Sequence, residues 1–292
     1  LKAVTFLQRL TSPLFNKQNL GCVLCNMRKI SKLYIPTYNR VGSQACFDSL
    51  PSKWQDKTVL VVHPEEIHDG YPTLSCPVQG TGIAPVRQWI SKYAEGTRYG
   101  VIDDDCVFQY TRRENEDGPS NRPLTNDEFD DMIDLFNSWM DAGFTFVGSD
   151  AAWNPPTRDK DYRTNSRLSG NVFYSEKLPV ADIDWLSLPI SEDYYVALQL
   201  LTMGYQNRVS LKYRINPGTT QAKGGCSTQR TLDIHNKSLE QLREKFPQFV
   251  QLREKIAKSS GEWSGKPKLA CTISWKKAYA SSQIGNLYSF FS

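Results

Sequence analysis

The chain has 292 residues, 39% hydrophobic and 12% aromatic, with 35 Lys+Arg against 31 Asp+Glu and a net charge of +4. It is long enough to bury a large core as one big or two small domains, and too apolar for disorder at scale. No apolar run approaches the ~18 residues that a membrane-crossing helix needs, so no membrane partner is expected. The start, residues 1–10, is mildly amphipathic, lacks an initiator Met, and has neither the long apolar core nor the cleavage site of a signal peptide. Seven scattered cysteines (22, 25, 46, 76, 106, 226 and 271) read as a reduced, cytoplasmic set. Cys22-x-x-Cys25 is half of a zinc spacing. With no second pair and only three histidines, a chance pair in an N-terminal extension (1–30) is the simpler reading.

In chain order, residues 32–37 predict a strand and 58–63 (Thr-Val-Leu-Val-Val-His) a strand buried on both faces. Residues 84–93 predict a helix carrying Val86, Trp89 and Ile90, and 99–102 a strand. Residues 114–123 read as a loop with Gly and two Pro. The clearest helix is 125–142. Thr125 and Glu128 have capping-box spacing, Phe129, Ile133, Phe136 and Met140 give one apolar face, and Gly143 ends it. A strand at 144–148, a long loop at 153–167 and a strand at 171–175 follow. A helix at 192–203 holds Glu192 and Asp193 in its first turn and stops at Gly204. A strand at 208–214 and helices at 232–246 and 249–258, separated at Pro247, complete the reading. Strand–helix alternation predicts an α/β nucleotide-binding sheet. The absence of GxGxxG and GxxxxGK[ST] argues against dinucleotide binding and P-loop NTPases.

The strand at 99–102 runs straight into Asp103-Asp104-Asp105 and returns to Val107-Phe108. Three adjacent carboxylates repel one another. Mg²⁺ or Mn²⁺, which prefer hard oxygen ligands and leave positions for substrate phosphates, are their natural partners. An acidic triplet is also common in solvated loops, but the apolar flanks favour a sheet edge. A second strand ends nearby in sequence at Pro36-Thr37-Tyr38-Asn39-Arg40. Strand ends on one side of a sheet are the usual site of open α/β folds. Charge is segregated: residues 207–292 carry fifteen basic and five acidic residues, the rest twenty and twenty-six. Basic residues interleaved with Trp263, Trp275 and Tyr279 suit a phosphodiester backbone with exposed bases; a solvated basic tail is the plainer alternative.

Ile35-Pro36-Thr37-Tyr38-Asn39-Arg40, Asp103-Asp104-Asp105 and Ser191-Glu192-Asp193 resemble three landmarks of GT-A-fold glycosyltransferases. The stretch from Gly224-Gly225-Cys226 through Arg230 to His235-Asn236, with 265–269 and 275–278, resembles the phage TET-associated glycosyltransferases, which modify hydroxymethylated pyrimidines in DNA. The resemblance covers residues 31–280. It implies a GT-A-type, Rossmann-like nucleotide-diphospho-sugar transferase fold with a mixed central sheet, a catalytic domain at 31–223 and a basic helical C-terminal region at 224–292. It implies that Pro36, Tyr38, Asn39 and Arg40 surround the nucleotide, that Asp103 contacts the ribose or the metal, and that Asp105, beside Asp104, ligates Mn²⁺ or Mg²⁺. His235 would be a third ligand. Asp193 would take the acceptor's proton, with Glu192 supporting it. Gly224 and Gly225 beside Arg230 would form an anion nest or only a turn. Asp193 also has a plain role at a helix N-terminus, and a lone His is commonly structural.

The implied reaction moves a sugar from a nucleotide-diphosphate donor, a UDP-sugar, to a hydroxymethyl pyrimidine such as 5-hydroxymethylcytosine in phage DNA, within the cytoplasm of an infected host. A base inside a duplex is hard to reach, so flipping or action on open strands is expected, with Trp153, Tyr162, Trp263 and Trp275 as stacking candidates. Two other readings stand beside it: transfer to a glycan or small molecule, and a non-catalytic DNA-binding accessory protein.

Overall fold

The computed structural model describes residues 29–42, 44–80, 82–112, 116–117, 119–154, 160–217, 230–257 and 263–289. The extension with Cys22 and Cys25, and the Gly224-Gly225-Cys226 stretch, lie outside the described residues.

A ten-stranded mixed sheet forms the centre. Its parallel part contains β1 (Ile30–Pro36), β2 (Thr58–Val62), β3 (Thr73–Ser75) and β4 (Arg98–Ile102), in the order β3-β2-β1-β4. The other strands are β5 (Val107–Thr111), β6 (Asn121–Pro123), β7 (Phe146–Ala151), β8 (Tyr162–Thr164), β9 (Asn171–Tyr174) and β10 (Asn207–Asn216). The order continues β4-β9-β7-β10-β5-β6, and β8 also pairs with β10. Antiparallel β9 sits between β4 and β7, so β7 and β10 run in the same direction as β1 and β4. All four therefore end at one edge of the sheet. The central strands β4 and β7 are buried along their whole length, the pattern of a sheet covered on both faces.

Helices cover the two faces. One core joins α1 (Ala45–Asp48), α2 (Ser52–Gln55) and α4 (Asn126–Asp141) to the sheet through Trp54, Phe129, Phe136 and Phe173. The other joins α3 (Ile83–Tyr93) and α5 (Glu192–Thr202) through Val86, Ile90, Leu198 and Trp185. The C-terminal part packs on that second face. It consists of α6 (Leu232–Lys245), a separate two-stranded sheet of β11 (Val250–Ile256) and β12 (Pro267–Ile273), and α7 (Trp275–Ser289). Among the described residues no helix is long and apolar enough to cross a membrane. Cys46, Cys76, Cys106 and Cys271 are free thiols.

The structure corrects the sequence reading in three places. Residues 249–258 are not a helix. Val250-Gln-Leu-Arg-Glu-Lys-Ile256 consists largely of good helix formers, yet it pairs antiparallel with Leu269-Ala-Cys-Thr-Ile273 and its flanks. Strand pairing over an apolar face overrides local propensity there. The C-terminal region is thus helix–hairpin–helix rather than helical throughout. The polar segments 114–123 and 153–167 also contain the short strands β6 and β8, which add to the sheet through backbone pairing and need no apolar run.

The cap expected for α4 is present. Thr125 Oγ1 accepts from the Glu128 N–H at 3.3 Å, and Glu128 Oε2 accepts from the Thr125 N–H at 2.9 Å. Arg122 forks onto the same carboxylate at 2.6 and 2.7 Å, and with these bonds holds Glu128 down at about 2. Thr125→Ala is expected to lower the unfolding free energy by about 1 kcal/mol in urea titrations. A depressed carboxylate stabilises the fold above its unfolded pKa and loses that contribution as pH falls toward 2. Glu128→Gln should therefore flatten the acid limb of a stability–pH curve between about 4.5 and 2.

Candidate active site

The shared strand edge gathers the residues that the sequence singled out. Pro36 is the last residue of β1 and is buried. Thr37 follows it, buried, and donates from Oγ1 to Asp104 Oδ2 at 2.9 Å. Tyr38 lies half-buried with its ring centroid 6.2 Å from that of His63. Asn39 takes a left-handed backbone (φ 55°) and donates its N–H to Glu66 Oε1 at 2.8 Å. Arg40 pairs with Asp104 and reaches Asp105 Oδ2 at 3.7 Å. The turn after β4 is itself pinned. The Asp103 N–H donates to the Gly170 carbonyl at 2.8 Å, and the Cys46 N–H donates to the Asp104 carbonyl at 3.1 Å. Gly170 has φ +75°, and a Cβ there would stand 2.9 Å from Ile215 Cδ1 and 3.2 Å from Cys106 Sγ, so only glycine lets β9 begin so close to the acids.

The sequence reading missed the group that joins the two acidic motifs. Arg87 on α3 is 9% exposed at its side chain, donates Nη2 to Asp103 Oδ1 at 2.6 Å, and places Nη1 2.9 Å from Glu192 Oε1. Asp103 ends a strand and Glu192 opens a helix, yet one planar guanidinium holds both in its fork. A signal was available. Arg87 stands three residues before Ile90 and one after Val86, a charge set into the apolar face of its helix. Ser191, just ahead of Glu192, is one of three described non-glycine residues with positive φ (65°), and Asn39 is another. Two of the three thus flank the candidate site, where stored backbone strain commonly concentrates.

Electrostatics follow from burial. Asp104 is pushed up to about 6 by desolvation, against the opposing pull of Arg40 and Thr37. Burial raises Glu192 and Asp193, while Arg87 draws both down and Arg167 also draws down Asp193. Burial alone would lower the Arg87 guanidinium, but Asp103, Glu192 and Asp193 outweigh it and hold it above its ordinary value. Asp193 accepts the Tyr194 N–H at 2.9 Å and lines a small cavity with Arg87, Leu168, Tyr174 and Trp185.

Five carboxylates, at 103–105, 192 and 193, therefore face three guanidiniums, Arg40, Arg87 and Arg167. The oxygen-only donors and the residual negative charge fit a hard divalent cation, and the Asp103 and Asp105 side chains are 37% and 31% exposed. Among the described residues, no three His, Cys, Asp or Glu side chains are already gathered as a metal-binding set. The structure does not bring His235 to the acids. Its Nε2 bonds the Leu269 carbonyl at 3.0 Å and its ring stands 5.3 Å from that of Trp263. Arg230 lies just ahead of α6, half-buried. Gly224 and Gly225 lie outside the described residues. Of the stacking candidates, Trp263 is buried, Trp275 packs edge-on to Tyr194 at 5.8 Å, and Trp153 and Tyr162 are exposed.

No family model matches the chain. Two curated proteins do, the "Beta-glucosyl-HMC-alpha-glucosyl-transferase" of Enterobacteria phage T6 and that of Enterobacteria phage T2. Each is 29% identical over 231 residues, covering 73% of this chain and 80% of the relative. Similarity over most of both chains, on a fold that gathers these acids at one sheet edge, makes the chain a glycosyltransferase.

Two outcomes are expected. Arg87→Met should destabilise the protein by about 3–5 kcal/mol in urea, because it leaves buried carboxylates without their counter-charge, and Arg87→Lys by less. A loss below 1 kcal/mol for the Met variant would remove the linking role. In cation-free buffer the Asp104 carboxyl carbon should titrate by NMR near 6. A raised carboxylate stabilises the fold only while protonated, so its contribution falls as pH rises through about 4 to 6. Added Mg²⁺ should move that midpoint down; an unchanged midpoint would count against cation binding at the turn.

Proposed function

We propose that this chain transfers a sugar, glucose in the first instance, from a nucleotide-diphosphate donor to hydroxymethylcytosine in phage DNA, on a GT-A-type fold. The observation that carries the reading is the junction made by Arg87. It joins a strand-end acidic turn suited to a diphosphate donor with a helix-start carboxylate pair suited to an acceptor hydroxyl, in a chain similar to phage glucosyltransferases whose name gives β-glucosyl-HMC as acceptor.

In this reading Tyr38, Asn39 and Arg40 border the nucleotide and Asp103 meets its ribose. A divalent cation, when bound, would be held by Asp103 and Asp105 and would neutralise the departing diphosphate. Asp104, tied to Thr37 and Arg40, fixes the shape of the turn rather than facing the donor. Asp193 is the carboxylate that meets the acceptor, and Glu192, gripped by Arg87, positions it. Burial raises Asp193 above its ordinary value, which suits a base that must take up a proton during transfer.

The linkage formed separates two roles for Asp193. An inverting transfer needs it as the base for the acceptor hydroxyl. The relatives' name specifies an α linkage, and reaching it from an α-configured donor retains configuration; Asp193 would then face the oxocarbenium-like carbon. The same name makes a β-glucosylated HMC the first acceptor to try beside the bare base.

The test is mass spectrometry of HMC-DNA and β-glucosyl-HMC-DNA incubated with a panel of nucleotide sugars, with NMR of the product linkage. Asp193→Asn should cut turnover by about 10²–10⁴-fold with donor affinity nearly unchanged. A variant that loses donor binding yet turns over normally at saturation would assign Asp193 to the donor side. No transfer to either DNA from any donor would overturn the acceptor assignment.

A further inference from the structure

The β11–β12 hairpin is a two-stranded ribbon outside the main sheet, and its two faces differ in kind. Residues directly opposite each other in an antiparallel pair share a face. Val250 with Ile273 and Leu252 with Cys271 form the inner face, which packs into the core that holds α5 and α7. Arg253 opposite Ala270 and Lys255 opposite Lys268 form the other face. Arg253 and Lys255 are exposed and stand about 7 Å apart along their strand. The side chains of His235 and Asn236 bond the Leu269 carbonyl and N–H at 3.0 and 2.9 Å and close the outer edge of β12.

Like charges placed directly across a ribbon are unfavourable unless an anion lies over them. Among the described residues every side-chain ion pair falls within positions 40–214, and none uses a cation of the C-terminal part. The surplus is felt locally: burial, then Lys268 and Arg230, hold His235 below its ordinary pKa. Arg40 and Arg87 at the candidate site pair with carboxylates, whereas among the described residues these cations pair with none. The ribbon also lies against the site. Trp275, two residues beyond β12, packs on Tyr194, and the Cys271 thiol, raised by burial, feels Arg167 and Asp193.

We infer that the β11–β12 ribbon docks the sugar–phosphate backbone of the acceptor DNA through Arg253, Lys255 and Lys268, and so delivers the target base to Asp193. This rests on the reading that the acceptor is DNA. A two-stranded ribbon is of a size that a DNA groove admits, and lysine and arginine are the side chains that bind phosphate without reading sequence.

The experiment compares wild type with the triple variant Arg253→Gln, Lys255→Gln, Lys268→Gln. It measures duplex HMC-DNA affinity across a salt series, nucleotide affinity by calorimetry, and thermal melting. Each phosphate contact contributes about −0.9 to the slope of log K against log salt. The triple variant should flatten the slope by about 2 to 3 and lose DNA modification at physiological salt, with nucleotide affinity and melting unchanged. Lys255→Arg with Lys268→Arg should keep the wild-type slope. A triple variant that binds and modifies DNA as wild type does would overturn the ribbon while leaving the DNA acceptor intact. If wild type itself neither binds nor modifies DNA, the acceptor reading fails and the ribbon proposal with it.

Discussion

One buried guanidinium holds the candidate site together. Arg87 sits between Asp103 at the end of β4 and Glu192 at the start of α5, two elements about ninety residues apart that approach across the face covered by α3. Without a cation between them, these two carboxylates, Glu192 buried and Asp103 partly so, would repel and one would be pushed toward taking a proton. With it, the acidic turn and the helix start are held in register, and Asp193 is carried into the cavity beside them. Arg40 acts similarly on the other flank, where it and Thr37 fix Asp104. Burial raises Asp104, Glu192 and Asp193, and the guanidiniums, three against five carboxylates, offset this only in part. A pocket left short of positive charge in this way is receptive to a cation or a proton.

The features legible from sequence, in the site and outside it, are those whose chemistry is local. Asp103–Asp105 announced themselves because three acids cannot follow a buried strand without a reason, and Thr125 with Glu128 because a capping box is a four-residue pattern. Arg87 was not legible because its partners come from two distant segments, and only its position on an apolar helix face hinted at burial. The sheet shows the same division. Central strands such as β2 and β4 declare themselves by continuous apolar runs. The outlying β6 and β8 are short and polar and exist because a neighbour offers a backbone to pair with. The hairpin was misread for a related reason: Leu252-Arg253-Glu254-Lys255 fits a helix as well as a strand, and only β12 decides between them.

The proposed function asks two charged regions of the protein to handle anions in different ways. At the sheet edge Arg87 is buried and forked onto Asp103 and Glu192, and Arg40 is paired with Asp104, so both shape the site more than they attract a ligand. Among the described residues of the C-terminal part, Arg253 and Lys255 stand at the surface and no cation pairs with a carboxylate, so they attract at long range and are screened by salt. A small diphosphate donor must be bound in one geometry for transfer, whereas a long polyanionic acceptor must be caught and then shifted until one base is in reach. Fixed, paired charge suits the first task and loose, unpaired charge the second. Tyr194 connects them physically: it follows Asp193 in sequence, lies under the Arg167 guanidinium at 5.0 Å, and meets Trp275 edge-on just after the hairpin. In the proposed reaction the donor on the acidic turn would meet the acceptor beside these two aromatic rings and Asp193.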